Sequence, residues 1–121
     1  MHASIILLCR FMDVDFSVVE KIVSDLEGRR VSVAPILHPI KYPLEAYDWD
    51  SKKYDPAILL DFLNGMFSRY LSGHDIIVVA LTSSIVGLEK SYLCSDNGRI
   101  CLVAVESIQD AISSIYNLIK T

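Results

Sequence analysis

Ile76-Ile-Val-Val-Ala-Leu81 and Ile100-Cys-Leu-Val-Ala-Val105, both within residues 74–105, decide how this chain folds. Each is a nearly unbroken apolar run rich in β-branched residues. Runs this short fall below the length of an ordinary buried helix and read as strands covered on both faces. Between them lie Ser91-Tyr-Leu-Cys94 and then Asp96-Asn97-Gly98, and Asn-Gly is a strong short-range hairpin signal. The stretch therefore reads as a central strand, a loop, and a hairpin returning to the sheet.

Outward from this centre, Ser4-Ile-Ile-Leu-Leu-Cys9 is a first strand, apolar on both faces. Asp15, or the capping-box pattern Ser17-x-x-Glu20, starts a helix after it. Phe16, Val19, Ile22, Val23 and Leu26 form the inner stripe of that helix, and Gly28 is its expected stop. Arg30–Ile36 reads as the second strand, with Pro35 arguing for an edge position. A strand–helix–strand unit of this kind pairs in parallel. Residues 38–50 form an irregular connection with Pro39, Pro43, three large aromatics and several acids.

Asp55-Pro56 opens the second helix, Asp as N-cap and Pro in the first helical position. Ile58, Leu59, Phe62, Leu63, Met66, Phe67, Tyr70 and Leu71 recur at helical spacing, and Gly73 closes the segment. Ser107-x-x-Asp110 caps a final helix with Ile108, Ala111, Ile112, Ile115, Leu118 and Ile119 on one face. The order βαβαβββα gives an α/β fold. It is a single domain over residues 1–121 whose mixed, mostly parallel sheet of about five strands has helices packed on it.

The chain has 121 residues, of which 52% are hydrophobic. That suits one shared core and excludes disorder. No apolar run approaches the roughly 18 residues of a membrane span, and the first strand lacks the basic flank of a signal peptide. The net charge is −4 without a basic cluster, which gives no footing for a phosphate backbone. Neither nucleic acid nor membrane is expected as a partner. Three cysteines without paired spacing suit reduced thiols in a cytoplasmic protein.

Residues able to carry chemistry are scattered. His2, His38 and His74 stand at element boundaries without metal-ligand spacing. Asp13-Val-Asp15 could be a metal-binding pair, but a helix cap explains it more cheaply. Asp48-Trp-Asp50 reads as a solvated loop. Glu106 could act as a general base, yet no matched acid or nucleophile lies near it in sequence. Cys94 and Cys101 flank the expected turn and could face one another across the hairpin, but they read as small packed hydrophobes rather than redox groups. Thr82-Ser83-Ser84 lies at the carboxyl end of the central strand, where open α/β sheets often take ligands, but it lacks the glycines of a phosphate cradle.

From Ile5 to Val105 the order of features resembles archaemetzincin, a zinc metalloprotease family of zincin-like fold. Three further segments carry the resemblance. Lys53-Tyr54-Asp55 precedes Ile58-Leu59-Leu60, Ile77-Val-Val-Ala-Leu-Thr82 is similar to the family's strand leading into an acidic loop, and Arg99-Ile-Cys-Leu-Val-Ala-Val105 is similar to the strand before the active-site helix. The resemblance spans only the amino-terminal portion of such an enzyme. It implies a helix bearing His-Glu-x-x-His, in which two histidines bind Zn²⁺ and the Glu activates water. Sliding that helix onto residues 110–119 places Ser113 at the first His, Ser114 at the Glu and Asn117 at the second His. Serine and amide groups are poor zinc ligands, and Ser114 is no carboxylate base.

The resulting expectation is a truncated, non-catalytic relative, without catalytic residue, metal or cofactor, working as a protein- or peptide-binding or assembly module. The resemblance implies that Ser91, Tyr92, Leu93 and Cys94 form an edge strand able to take a peptide by β-augmentation. Loss of the remaining subdomain would uncover apolar surface, so a homodimer is expected. The alternative is a small α/β enzyme or ligand-binding regulatory domain with its site near Thr82–Ser84, His74 and Glu106.

Overall fold

The computed structural model describes residues 5–71, 75–83, 86–88 and 90–119. The two apolar runs form the middle of the sheet. Strand β1 is Ile5–Arg10, helix α1 Phe16–Gly28 and strand β2 Val33–Pro35. A short hairpin of β3 (Tyr47–Asp48) and β4 (Lys53–Tyr54) leads into α2, Pro56–Leu71. The remainder is β5 (Ile76–Thr82), β6 (Tyr92–Cys94), β7 (Ile100–Ala104) and α3 (Ile108–Ile119). The main sheet runs β2-β1-β5-β7-β6, with every neighbouring pair parallel except β6 with β7. This is the mixed, mostly parallel five-stranded sheet that the sequence predicts, and Pro35 does sit on its edge strand.

The period of two along each strand sorts the core into two layers. Val78 and Ala80 of β5, with Cys9, Ile100 and Leu102, face α2 and its Leu59, Leu63 and Phe67. Ile77, Val79 and Leu81, with Ile6, Leu8 and Val103, face α1 and α3. Helices therefore cover both faces, which is why the central strands tolerate no polar alternation. The expected caps form at α2 and α3. The Ala57 N–H donates to Asp55 Oδ1 at 2.9 Å, and the Asp110 N–H donates to Ser107 Oγ at 3.1 Å.

Five expectations change. The first strand runs on past Cys9 to Arg10, and Ser4 lies outside the described residues. Gly28 is still helical, and the reversal is made by Arg30 at φ 65°. That turn consumes residues 29–32, because the Arg30 and Val31 N–H groups bond back to Glu27 and Leu26 carbonyls. The second strand is accordingly three residues long. Residues 38–50 are not wholly irregular: Ile40 bridges Phe11, a 3-10 turn spans Leu44–Ala46, and the β3–β4 hairpin follows. Gly73 lies outside the described residues.

The Cys94–Cys101 pair is the fifth correction. The two sulfurs are joined in a disulfide, which leaves Cys9 as the free thiol. The cause is register. Cys94 stands directly opposite Cys101 with 4.0 Å between Cα atoms. That is near the spacing of about 4.5 Å for a non-hydrogen-bonded antiparallel pair, where side chains approach most closely. An odd cysteine count could not reveal this pairing. Burial pushes the Cys9 thiol up to about 12, against the smaller opposing effect of its backbone hydrogen bond.

Candidate functional site

Among the described residues, two places set polar groups where a ligand could be sought. The first is the free side of β6. In its ladder the Ala104 N–H donates to the Ser91 carbonyl at 2.9 Å, and the Ser95 N–H donates to the Ile100 carbonyl at 2.8 Å. With residues 91 and 95 turned toward β7, the alternation of an antiparallel pair turns the main-chain N–H and C=O groups of Tyr92 and Cys94 outward. The hairpin that sets this register closes at Asn97-Gly98, as expected. Gly98 takes φ 70°, its N–H donates to the Ser95 carbonyl, and Asn97 Oδ1 accepts from the Arg99 N–H.

Side chains along β6 split by face. Tyr92 packs into the α1–α3 layer. Leu93 points to the α2 side and is 39% exposed. Leu93 divides two hollows: one of about 500 Å³ with Leu60 and Asn64 of α2 and Ser95 and Asn97 of the turn, the other of about 240 Å³ with Pro56, Gly87, Leu88 and Lys90. An open strand edge thus runs beside two hollows separated by one side chain.

Helix α3 braces this edge. Ser114 is buried, and its hydroxyl is 3.1 Å from the Ser91 hydroxyl at the entry to β6. Ser113 and Asn117, one turn apart, are exposed on an adjacent face of the helix. Of the residues at the expected motif positions, Ser113 and Asn117 thus share a solvent-facing side of the helix, while Ser114 turns inward and ties helix to strand. The buried Ser114 has a sequence signal only in hindsight, since it lies three residues after Ala111 and so on the inner stripe.

The second place is the carboxyl end of β1 and β5. Connections leaving these neighbouring strands run toward opposite edges of the sheet, the arrangement that opens a ligand crevice in α/β folds. Here Tyr42 fills it. Its ring stacks between Phe11 and Tyr54 at 4.3 Å from each, its hydroxyl donates to Asp13 Oδ1 at 2.8 Å and it is hydrogen-bonded to Thr82 Oγ1. Ser83 Oγ donates to the other Asp13 oxygen. Burial, first of all, raises the Tyr42 pKa; the Thr82 hydrogen bond opposes it and the Asp13 carboxylate adds to it.

Asp13 is thus not a cap; its carboxylate anchors this plug. Asp15 holds the N-cap position of α1 without a side-chain hydrogen bond. Thr82 is fully buried and Glu106 is exposed. His74 and Ser84 lie outside the described residues. Asp48 is held below the usual carboxylate range, chiefly by the Asp50 N–H and then by the Ser51 hydroxyl. Among the described residues, no three His, Cys, Asp or Glu side chains gather where a metal ion could be held, and no helix is long and apolar enough to cross a membrane.

No protein-family model matches this sequence. No curated protein matches it. Solved structures do resemble it. A zinc-dependent peptidase from Methanocorpusculum labreanum superposes with a TM-score of 0.65 at 15% identity, covering 91% of this chain and 74% of that one. Archaemetzincin from Methanopyrus kandleri gives 0.59 at 21% identity, covering 98% and 68%. Archaemetzincin from Archaeoglobus fulgidus, in complex with malonate, gives 0.52 at 16% identity, covering 84% and 60%. The chain has an archaemetzincin-like fold.

Proposed function

We propose that this chain is a non-catalytic peptide-binding module that takes an extended segment along the open edge of β6. The observation that carries the reading is the outward-turned main chain of Tyr92 and Cys94, set beside hollows on either side of Leu93. A strand added there would gain main-chain hydrogen bonds for affinity. Its alternate side chains, about 6.6–6.8 Å apart, would fall one into each hollow for selectivity.

Zinc is the group implied by the name of one fold neighbour. The donors on α3 do not fit it. The helix carries no imidazole or thiolate, Ser113 and Asn117 present a hydroxyl and an amide, and Ser114 is committed to Ser91. Zinc favours nitrogen and sulfur ligands with a carboxylate base beside them, so no step through zinc is derived. Support for binding over chemistry also comes from the crevice at Thr82 and Ser83, whose hydroxyls are bonded to Tyr42 and Asp13 rather than offered to a substrate.

The test is a random dodecapeptide display selection followed by fluorescence polarisation of the selected peptides. Methylating alternate backbone nitrogens of a selected peptide should abolish binding in one phase and spare it in the other. Tyr92→Pro removes an outward N–H without removing a bond to β7, so the sheet should persist by circular dichroism while affinity falls at least about tenfold, more than one hydrogen bond's worth. Binding that survives both changes would end the β-augmentation reading.

A further inference from the structure

Helix α2 has a second apolar row that the described residues cover only in part. Leu59, Leu63 and Phe67 are buried against the sheet, but Ile58, Phe62, Met66 and Tyr70 form a separate row at four-residue spacing. Met66 is 43% and Tyr70 53% exposed, and Phe62 is half-buried. The row borders a hollow of about 550 Å³ against Ile36, His38 and Ile40. A helix apolar on both sides is ordinarily covered on both.

The next row of the same helix indicates what covers it. Asp61, Gly65 and Arg69 lie side by side with the apolar row at the same four-residue spacing, all three exposed. Gly65 is mid-helix, where glycine costs roughly 0.5–1 kcal/mol relative to alanine. No intramolecular contact requires it, because a Cβ at this position would meet nothing within 4 Å. Asp61 and Arg69 stand four residues to either side of Gly65, and neither forms an ion pair with any described residue. A two-fold axis through Gly65 with two α2 helices antiparallel sets Asp61 of one copy opposite Arg69 of the other, twice. It also sets glycine against glycine where the backbones must approach most closely.

We propose that the outer face of α2 is a two-fold interface between two copies of this chain, the helices antiparallel and crossing at Gly65. Ridges four residues apart interdigitate between helices in the commonest packing class, and a self-complementary patch is what a two-fold dimer requires. The helix has sixteen residues, hence a face about 24 Å long. With the adjoining residues 36–41 it offers on the order of 1,000 Å² in total, the lower limit for a specific interface. An interface near that limit belongs with weak, transient contacts.

Sedimentation equilibrium of the full chain from about 5 to 500 µM, a range that spans weak association, tests the proposal. Asp61→Arg and Arg69→Asp each set like charges together twice and should weaken association about tenfold. The Asp61→Arg/Arg69→Asp double variant should return it to within about threefold of the parent, the signature of a direct pair. Gly65→Leu should abolish the dimer while leaving the monomer folded by circular dichroism. A monomer at every concentration would overturn the proposal, as would charge variants that neither weaken nor restore. Association lost in Tyr92→Pro but untouched by the α2 variants would overturn it too, by placing the contact on the β6 edge.

Discussion

Reduction of the Cys94–Cys101 bridge should loosen the β6–β7 hairpin by an amount that the loop length sets. The cysteines are separated by seven positions, and the chain-entropy relation for a loop of that size gives about 2.4 kcal/mol at 25 °C. The Asn97-Gly98 turn restrains the same loop even when unfolded, through short-range bonds of the kind Ser95 and Arg99 make to Asn97. The loss on reduction is then between about 1 and 2.4 kcal/mol. Urea unfolding with and without a phosphine reductant measures it, and the thermal midpoint should fall by roughly 3–10 °C. Thiol titration in denaturant supplies the control: one reactive group, Cys9, without reductant and all three cysteines with it. Three thiols without reductant, or a stability change under about 0.3 kcal/mol, a tenth of a typical bridge, would refute the reasoning.

Alkaline pH should destabilise the fold in two separable limbs. Folded-state values are raised for both Cys9, from 9.0 to about 12, and Tyr42, from 10.0 upward. Burial thus favours the protonated forms, and their contribution is complete below the ordinary values and lost as pH climbs through the raised ones. Cys9→Ala should remove the limb beginning near pH 9.0 and Tyr42→Phe the one beginning near 10.0, as read by urea midpoints against pH. Leu63→Ala, at a fully buried position of α2, should cost about 2–5 kcal/mol by the same assay. Gly98→Ala, forcing a side chain onto φ 70°, should cost about 1 kcal/mol. Asp55→Ala, losing the cap on α2, should cost about 1 kcal/mol.

Most of the layer structure was legible because local signals and burial agree. The apolar runs of β5 and β7 could only be central, Pro35 could only be at an edge, and Asp55 and Ser107 mark helix starts through bonds two and three residues away. What escaped reading depends on contacts distant in sequence. The strands β3 and β4 have two residues each, too few for any periodic pattern, and are steadied by the Tyr54–Val86 bridge. Asp13 looks like a capping residue until Tyr42 and Ser83 arrive from 29 and 70 positions away. Likewise the disulfide needs the strand register, and the open side of β6 needs the hydrogen-bond phase of its ladder. Neither is written in residue types alone. The edge position of residues 91–94 was anticipated from the resemblance; which of its amides face outward was not.

The stacked rings around Tyr42 have an optical consequence. From buried Phe11 the aromatic contacts pass through Tyr42, Tyr54 and Tyr47 to Trp49 at the β3–β4 hairpin, each ring within 5.1 Å of the next. Trp49 is the only tryptophan of the chain and is 74% exposed. Its emission is therefore that of a solvated indole in the folded protein and will shift little on unfolding, so intrinsic fluorescence read at its peak would miss the transition. Excitation of the tyrosines tells a different story. Light absorbed at Tyr42, which the fold alone holds near Trp49, is passed to it more efficiently before unfolding than after, and a fall in this sensitised emission would report the melting of a core the tryptophan never enters.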